Sequence, residues 1–197
     1  MAVKLASIFF TMILVDNYVL AKFLGICPFL GVSKKLDSAV GMSLAVTFVM
    51  VMATAATWPI YNLILDPNGL GYLQTIVFIL IIAILVQLLE SILKKYIPSL
   101  YSALGVYLPL ITTNCAILGV TILNIDNGYN FAESIVCAAG SGIGFLVAMV
   151  LFSGVRRKVE EAVTPKCFEG LPITLVAAAM TSMSFMGFGG IVEAIFM

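Results

Sequence analysis

Two cysteines occupy matching contexts that suit the binding of a soft metal. Cys27 and Cys115 each begin a Cys-x-x-Leu-Gly-Val segment, and nearly half of the 197-residue chain separates the two copies. Thiolates select iron–sulfur clusters, copper(I) or zinc, and a [2Fe–2S] cluster takes four ligands, usually four cysteines. This chain offers two of them in matching positions, so a similar second subunit would supply the other two. A disulfide between the pair, or a role as small apolar filler, is the alternative.

Each of these cysteines follows a feature that interrupts an apolar run. Residues 108–120 read LPLITTNCAILGV, in which Pro109 and the polar residues Thr112, Thr113 and Asn114 precede the cysteine. Proline removes a backbone donor, and backbone groups that are freed in hydrocarbon must find partners inside the protein. The pattern therefore predicts a broken helix that faces a protein interior.

The composition is that of an integral membrane protein. Hydrophobic residues make up 62% of the chain and charged residues 10%, and the mean hydropathy is +1.15, whereas soluble domains are about 25% charged. The net charge is zero and no basic patch is present, so nucleic acid is not an expected partner. The absence of histidine excludes histidine-ligated haem and a histidine proton relay. Cys137 and Cys167 are interpreted as filler.

Six apolar stretches are long enough, at about 20 residues, to cross a hydrocarbon core of ~30 Å. They cover residues 3–32, 39–63, 72–93, 100–123, 131–155 and 173–196. The first is too long for one straight crossing, and Gly25, Pro28 and Gly31 are predicted to mark its break. Residues 66–69 and 124–130 are predicted turns. The expected fold is an all-α membrane protein with six transmembrane helices, in which helices one and four are broken near the midplane.

The distribution of cations predicts the orientation and an inverted repeat. Eight of the ten cations fall in the first, third and fifth loops, which places those loops in the cytoplasm and both termini outside; they are Lys34, Lys35, Lys94, Lys95, Arg156, Arg157, Lys158 and Lys166. Three spans per half reverse the direction of the second half. Residues 1–97 and 98–197 are therefore predicted to form two inverted repeats of a single membrane domain, with the functional site where their broken helices meet.

Other polar residues are weaker candidates. Asp16 and Asn17 lie within the first span, where an acid is a functional candidate by default; a hydrogen-bonded structural pair or a contact with a partner subunit is the alternative. Thr112, Thr113 and Asn114 either donate to cluster sulfurs or line an ion path. All five residues are therefore candidates for an ion path.

Several segments resemble one family of membrane subunits. They are residues 23–35 (FLGICPFLGVSKK), 108–120, 131–134 (FAES) and 185–190 (FMGFGG). The family is the one shared by the A-type subunit of the Rnf complex, an ion-translocating ferredoxin:NAD oxidoreductase, and the E-type subunit of the sodium-pumping NADH:quinone oxidoreductase. The form CPFLGVSKK is more similar to the Rnf member.

The resemblance implies a cofactor and partners. It implies a six-helix subunit of the bacterial cytoplasmic (inner) membrane that pairs in opposite orientation with the homologous E-type subunit of the Rnf complex. The pair would share an intramembrane [2Fe–2S] cluster, to which Cys27 and Cys115 match as ligands. Electrons would cross the bilayer between other Rnf subunits that carry flavins and iron–sulfur clusters, coupled to export of Na⁺ or H⁺. No activity of the isolated subunit is expected.

Two other classes of protein remain open at the sequence level. A non-redox ion or solute transporter has the same broken helices and inverted repeats, and a structural scaffold would hold flavin subunits in place. Iron separates the first from the redox subunit. Neither a Gly-x-Gly-x-x-Gly motif nor a P-loop is present, so any NAD or flavin chemistry is expected in partner subunits.

Overall fold

The computed structural model describes residues 2–33, 36–96, 108–162, 165 and 170–187, and these residues form helices and turns without a β-strand. The described helices are α1 (Ala2–Leu14), α2 (Ile26–Val32), α3 (Leu36–Ile60), α4 (Gln74–Tyr96), α5 (Leu108–Thr112), α6 (Cys115–Asp126), α7 (Phe131–Glu161) and α8 (Leu171–Met186). A π-helical turn, Tyr61–Leu65, extends α3. The prediction of an all-α protein is therefore confirmed for the described residues.

The first apolar stretch is broken, as predicted, but at a different place. Non-helical residues 15–25 separate α1 from α2, and the break ends at Gly25, whose φ is 82°. The prediction that Pro28 and Gly31 also mark the break is wrong, because both lie inside α2. Pro28 occupies the first turn of α2, where a helix does not need the missing backbone N–H.

The fourth stretch contains the second break. Only Thr113 and Asn114 separate α5 from α6, and Cys115 is the first residue of α6. Pro109 lies in the first turn of α5, so the break follows the proline instead of coinciding with it. The part of this stretch at residues 100–107 lies outside the described residues.

Two further boundaries differ from the prediction. The helix α7 continues to Glu161, six residues beyond the predicted end, and ion pairs of Arg156 with Glu160 and Arg157 with Glu161 lie on its last turns. Such i,i+4 pairs support a helix that has left the hydrocarbon core. Residues 124–126, predicted as part of a turn, belong to α6.

The lengths and compositions of the helices confirm a protein with several membrane-spanning segments. Ser38–Leu65, Gly71–Ile92 and Phe131–Glu161 are each long and apolar enough to cross a bilayer. Shorter apolar helices cover Lys4–Leu14, Leu110–Asp126 and Leu171–Met186. The count of six spans, and their arrangement as inverted repeats, stay predictions.

The helix α7 is the central element, and contacts along its length show how the chain from α1 to α2 runs beside it. At its beginning, Glu133 Oε1 lies 2.7 Å from Lys4 Nζ at the start of α1. Fourteen residues into α7, the Gly144 carbonyl accepts a hydrogen bond of 2.8 Å from Asn17 Nδ2 in the first break. Near its end, Arg156 Nη1 donates to Ser33 Oγ over 2.7 Å, just after α2. The chain from α1 to α2 therefore runs parallel to α7.

These contacts also give the depth of the first break. With a rise of 1.5 Å per residue, Gly144 lies about 20 Å from the start of α7 and about 18 Å from Arg156. A hydrocarbon core of ~30 Å fits between the two ends. The first break therefore lies near the middle of the bundle.

The third helix, α3, runs in the opposite direction to α7. Trp58 Nε1 near its end donates to the Tyr129 carbonyl, just before α7, over 2.9 Å. Farther along, a Cβ atom added to Gly142 would lie 2.5 Å from Thr47 Cγ2. The basic residues Arg156 and Arg157 are thus at the same end of the bundle as the start of α3. Lys34, Lys35 and Lys166, on which the predicted orientation also depends, lie outside the described residues.

The small residues of α7 allow this close packing. Replacement of one of them tests it. A Cβ atom on Gly144 would lie 2.9 Å from the Met12 carbonyl oxygen, whereas nothing lies within 4 Å of a Cβ on Gly154 in the same helix. We expect Gly144→Ala to lower stability by about 1–3 kcal/mol, because the backbone oxygen cannot move aside. Gly154→Ala, the control, should be neutral or stabilising by up to ~1 kcal/mol. Thermal unfolding in detergent measures both, and equal midpoints would contradict the close approach.

Candidate metal centre where two helix breaks meet

The two helix breaks are joined by a hydrogen bond to one of the candidate sulfur ligands. The backbone N–H of Gly25, at the end of the first break, donates to Cys115 Sγ over 2.9 Å. Cys115 itself follows the second break directly. An N–H donor stabilises a sulfur atom that carries negative charge, as it does in a thiolate ligand. The fold thus brings a backbone donor to this sulfur from 90 residues away.

The conformation of Gly25 explains why a glycine ends the first break. Its φ of 82° is one that L side chains rarely adopt. An added Cβ atom would also lie 3.1 Å from Ala116 Cβ, 3.1 Å from Phe145 Cε2 and 3.2 Å from Asn114 Oδ1. Phe145 directly follows Gly144, the residue of α7 that bonds to Asn17 in the first break. Both breaks therefore lie at the same depth in the bundle.

The two cysteines are accessible, and the chain limits the distance between them. Both Cys27 and Cys115 are exposed, and each lies in the first turn of its helix, α2 or α6. Cys27 follows Gly25 by two residues, and the Gly25 nitrogen lies 2.9 Å from Cys115 Sγ. The distance from Cys27 Cα to Cys115 Sγ is therefore about 12 Å or less. Cys137, in contrast, is fully buried within α7, which fits the filler role predicted for it. Cys167 lies outside the described residues.

Asn114 leaves a polar donor without a partner beside Cys115. Its Oδ1 caps α6 by accepting a hydrogen bond of 3.0 Å from the Ala116 N–H, and this bond determines which end of the amide is the donor. Asn114 is buried, and within the described part of the chain its Nδ2 has no hydrogen-bond partner. A buried donor without a partner is costly, which suggests a ligand atom at this position.

A cavity of about 460 Å³ adjoins the second break. The polar part of its lining comes from the break, and the apolar part comes mainly from α4; the lining residues are Thr112, Thr113, Asn114, Cys115, Leu118, Ile79, Ile82 and Ala83. Thr112 is half-buried and Thr113 is exposed. The structure therefore brings three of the predicted ion-path residues and one predicted ligand together around a single cavity.

Asp16 and Asn17 lie in the first break, away from that lining. The Asn17 amide is fully used, since Nδ2 donates to the Gly144 carbonyl and Oδ1 accepts a hydrogen bond of 3.1 Å from the Val19 N–H. Such a fully bonded amide favours a structural role for Asn17. Asp16 is half-buried, and its role in an ion path stays a prediction.

The first break contains one charged residue that the sequence alone did not single out. Lys22 is exposed, and its Nζ lies 4.9 Å from the centroid of the buried Tyr18 ring. The sequence did carry a signal, because Lys22 and Lys4 are the two cations outside the basic loops. Only the position of the break, however, places Lys22 near the midplane.

The residues present fit half of a four-thiolate site. Among the described residues, no group of three or more His, Cys, Asp or Glu side chains is arranged to hold a metal ion. Cys27 and Cys115 supply two exposed sulfurs, and Gly25 and Asn114 supply donors beside one of them. A [2Fe–2S] cluster would therefore need two further thiolates from another chain.

The fold and the site define a class of protein: a helical membrane protein with several spanning segments, in which two helix breaks meet and an exposed cysteine lies in the first turn of the helix after each break. Comparison with known proteins gives the particular family. A family model described as "Rnf-Nqr subunit, membrane protein" matches residues 5–192, and the chain belongs to this Rnf-Nqr family. The family predicted from the sequence segments is thereby confirmed.

The most similar relatives include subunits of ion-translocating oxidoreductase complexes. The chain is 58% identical to the A-type subunit of the "Na(+)-translocating ferredoxin:NAD(+) oxidoreductase complex" of Acetobacterium woodii, over 94% of this chain and 97% of the relative. It is 54% identical to the A-type subunit of an "Ion-translocating oxidoreductase complex" of Syntrophotalea carbinolica, over 91% and 93%. The corresponding protein from Serratia proteamaculans is 51% identical, over 92% and 94%. These names agree with the predicted resemblance to the Rnf member.

The meeting of the two breaks can be tested at Gly25. Gly25→Ala should lower stability both through its positive φ, by about 1–2 kcal/mol, and through contacts with the second break, by about 1–3 kcal/mol. Gly69→Ala is the matched control, since Gly69 has a φ of 64° but nothing within 4 Å of an added Cβ. The difference between the two variants in thermal unfolding measures the contact. Equal losses of stability would show that Gly25 does not pack against the second break.

Proposed function

We propose that this chain is the A-type membrane subunit of an ion-translocating ferredoxin:NAD oxidoreductase and holds half of an intramembrane [2Fe–2S] cluster. Cys27 and Cys115 are the ligands from this chain, and a homologous partner in opposite orientation, the E-type subunit of the Rnf complex, supplies the other two. The observation that carries the proposal is the Gly25 N–H bond to Cys115 Sγ, which joins the two breaks at one depth. The names of the relatives support the type of complex.

When bound, the cluster supplies a site that accepts and releases one electron. Cys27 and Cys115 would bind as thiolates, and Cys115, in the first turn of the 12-residue helix α6, lies at the positive end of that helix dipole. The Gly25 N–H donates to one sulfur, and Asn114 Nδ2 is a second donor available for a sulfur atom. Hydrogen bonds to sulfur make reduction more favourable.

Ion coupling follows from the cost of charge in a low-dielectric interior. Each added electron makes the site more negative, and the attraction of a cation is much stronger there than in water. Thr112 and Thr113, which line the cavity beside Cys115, offer oxygen atoms along a route for Na⁺ or H⁺. The basic loops face the cytoplasm and both termini face outward, as the positive-inside rule predicts.

The cavity beside the second break gives a non-redox transporter as the second candidate function. An apolar cavity with a few polar groups is a feature of many ligand sites, and such a transporter would use Thr112, Thr113 and Asn114 to bind its solute. The two candidates differ in iron content. A transporter has no need of two cysteines at the breaks.

Replacement of the cysteines separates these functions. We expect Cys27→Ser and Cys115→Ser each to abolish the EPR signal of the reduced intramembrane cluster, in a complex purified without oxygen. Cys137→Ser is the matched control and should keep the signal, because Cys137 is fully buried inside α7, whereas Cys27 and Cys115 are exposed. An undiminished signal in either of the first two variants would remove that residue from the ligand set. An iron-free wild-type complex that still transports ions would favour the non-redox transporter.

A further inference from the structure

Lys22 is a cation near the midplane of the bundle. It lies in the first break between Asn17, which bonds to Gly144 on α7, and Gly25, which bonds to Cys115. Both of these contacts are near the middle of α7. The four-carbon stem of a lysine is much shorter than the ~15 Å from the midplane of a ~30 Å core to either surface. The ammonium group therefore cannot reach the membrane interface by extending its stem.

The backbone around Lys22 is held in place by hydrogen bonds. The Ala21 N–H donates to the Asn17 carbonyl over 2.8 Å, and the Leu24 N–H donates to the Tyr18 carbonyl over 2.8 Å. The Leu20 carbonyl accepts a hydrogen bond from Ser182 Oγ on α8. These bonds on both sides of Lys22 keep it at this depth.

This chain does not neutralise Lys22 among its described residues. Its Nζ contacts the face of the Tyr18 ring, but none of the ion pairs in the described part of the chain includes Lys22 or the nearby Asp16. A charged side chain in the bilayer centre is unfavourable and is commonly found with a partner of opposite charge. An anion from outside the described residues would therefore stabilise Lys22 at this depth.

The limited length of chain between Lys22 and the second break keeps Lys22 near the candidate cluster ligand Cys115. Lys22 precedes Gly25 by three residues, and the Gly25 nitrogen lies 2.9 Å from Cys115 Sγ. Lys22 Cα therefore lies within about 13 Å of Cys115 Sγ. In a [2Fe–2S] site, four thiolates and two sulfides outweigh the charge of two irons, so the site is an anion in both redox states. Reduction by one electron adds one more negative charge.

We propose that Lys22 is the fixed counter-charge of this anionic iron–sulfur site and raises its reduction potential. The inference rests on the proposed function, because the anion is the cluster that Cys27 and Cys115 would bind. Lys22 acts on the iron–sulfur site only through its positive charge. One electron arrives from a one-electron donor of the complex and leaves to an acceptor, while Lys22 keeps its proton and forms no bond. The positive charge of Lys22 also offsets part of the negative charge of the reduced site.

The test is an EPR-monitored redox titration of the intact complex, purified without oxygen. At an effective dielectric constant of ~20, a unit charge at about 13 Å, the limit set by the chain for Lys22 Cα, changes a one-electron reduction equilibrium roughly tenfold. Lys22→Gln and Lys22→Met should therefore make the midpoint potential more negative, with the reduced fraction at a fixed applied potential roughly tenfold lower relative to the oxidised fraction. Lys22→Arg, which keeps the charge, should restore a potential close to that of the wild type.

Lys4→Gln is the matched control. Lys4 pairs with Glu133 at the start of α7, about 20 Å from the level of the first break, and its loss should leave the potential unchanged. A cluster signal with the wild-type potential in Lys22→Gln or Lys22→Met would overturn this inference and leave the proposed function standing. The inference also fails if Lys22→Gln and Lys22→Met lose the partner subunit together with the cluster signal while Lys22→Arg keeps both, since the charge of Lys22 would then hold the partner subunit instead of changing the potential. A wild-type complex without any cluster signal would overturn both.

Discussion

The structure depends on one constraint: backbone groups freed by a helix break inside a membrane must be paired within the protein. The first break meets it with side-chain and backbone partners. Asn17 Oδ1 accepts a hydrogen bond from the Val19 N–H, the Leu20 carbonyl accepts one from Ser182 on α8, and the Gly25 N–H donates to the sulfur of Cys115. The last of these bonds gives the break a functional meaning, because a candidate ligand atom takes the place of a carbonyl oxygen as the acceptor.

The surrounding helices are shaped so that the breaks can meet. Gly144 on α7 allows the chain at Met12 to approach its backbone, and Gly119 on α6 has so little space that an added Cβ would lie 2.6 Å from Leu24 Cδ1. The approach of Leu24 to Gly119 and the contacts of Gly25 place residues 24 and 25 against the second break and α6. Asn114 then caps α6 and keeps its amide donor beside Cys115. Packing thus determines where the sulfur atoms and their donors lie, and the chemistry proposed here follows from that placement.

Much of this arrangement was predictable from the sequence, because it is encoded locally. The repeated Cys-x-x-Leu-Gly-Val segments indicated the two breaks, and the apolar stretches indicated the helices. The position of the first break was not predictable in the same way. Pro28 suggests a break by itself, but in the first turn of α2 it is compatible with the helix, and the true break at residues 15–25 is stabilised by partners far away in the chain, such as Gly144. The depth of Lys22 depends on that position, and so it too was hidden from sequence reasoning.

The proposed cluster site requires that the two breaks bring Cys27 and Cys115 within reach of each other inside one chain. Cross-linking tests this requirement with a short bis-maleimide, applied to the metal-free complex in which Cys137 and Cys167 are replaced by serine. We predict that mass spectrometry will find an intrachain peptide pair joined through Cys27 and Cys115. Complete modification of both cysteines by separate reagent molecules, with no joined peptide at any spacer length that can bridge about 12 Å, would contradict it.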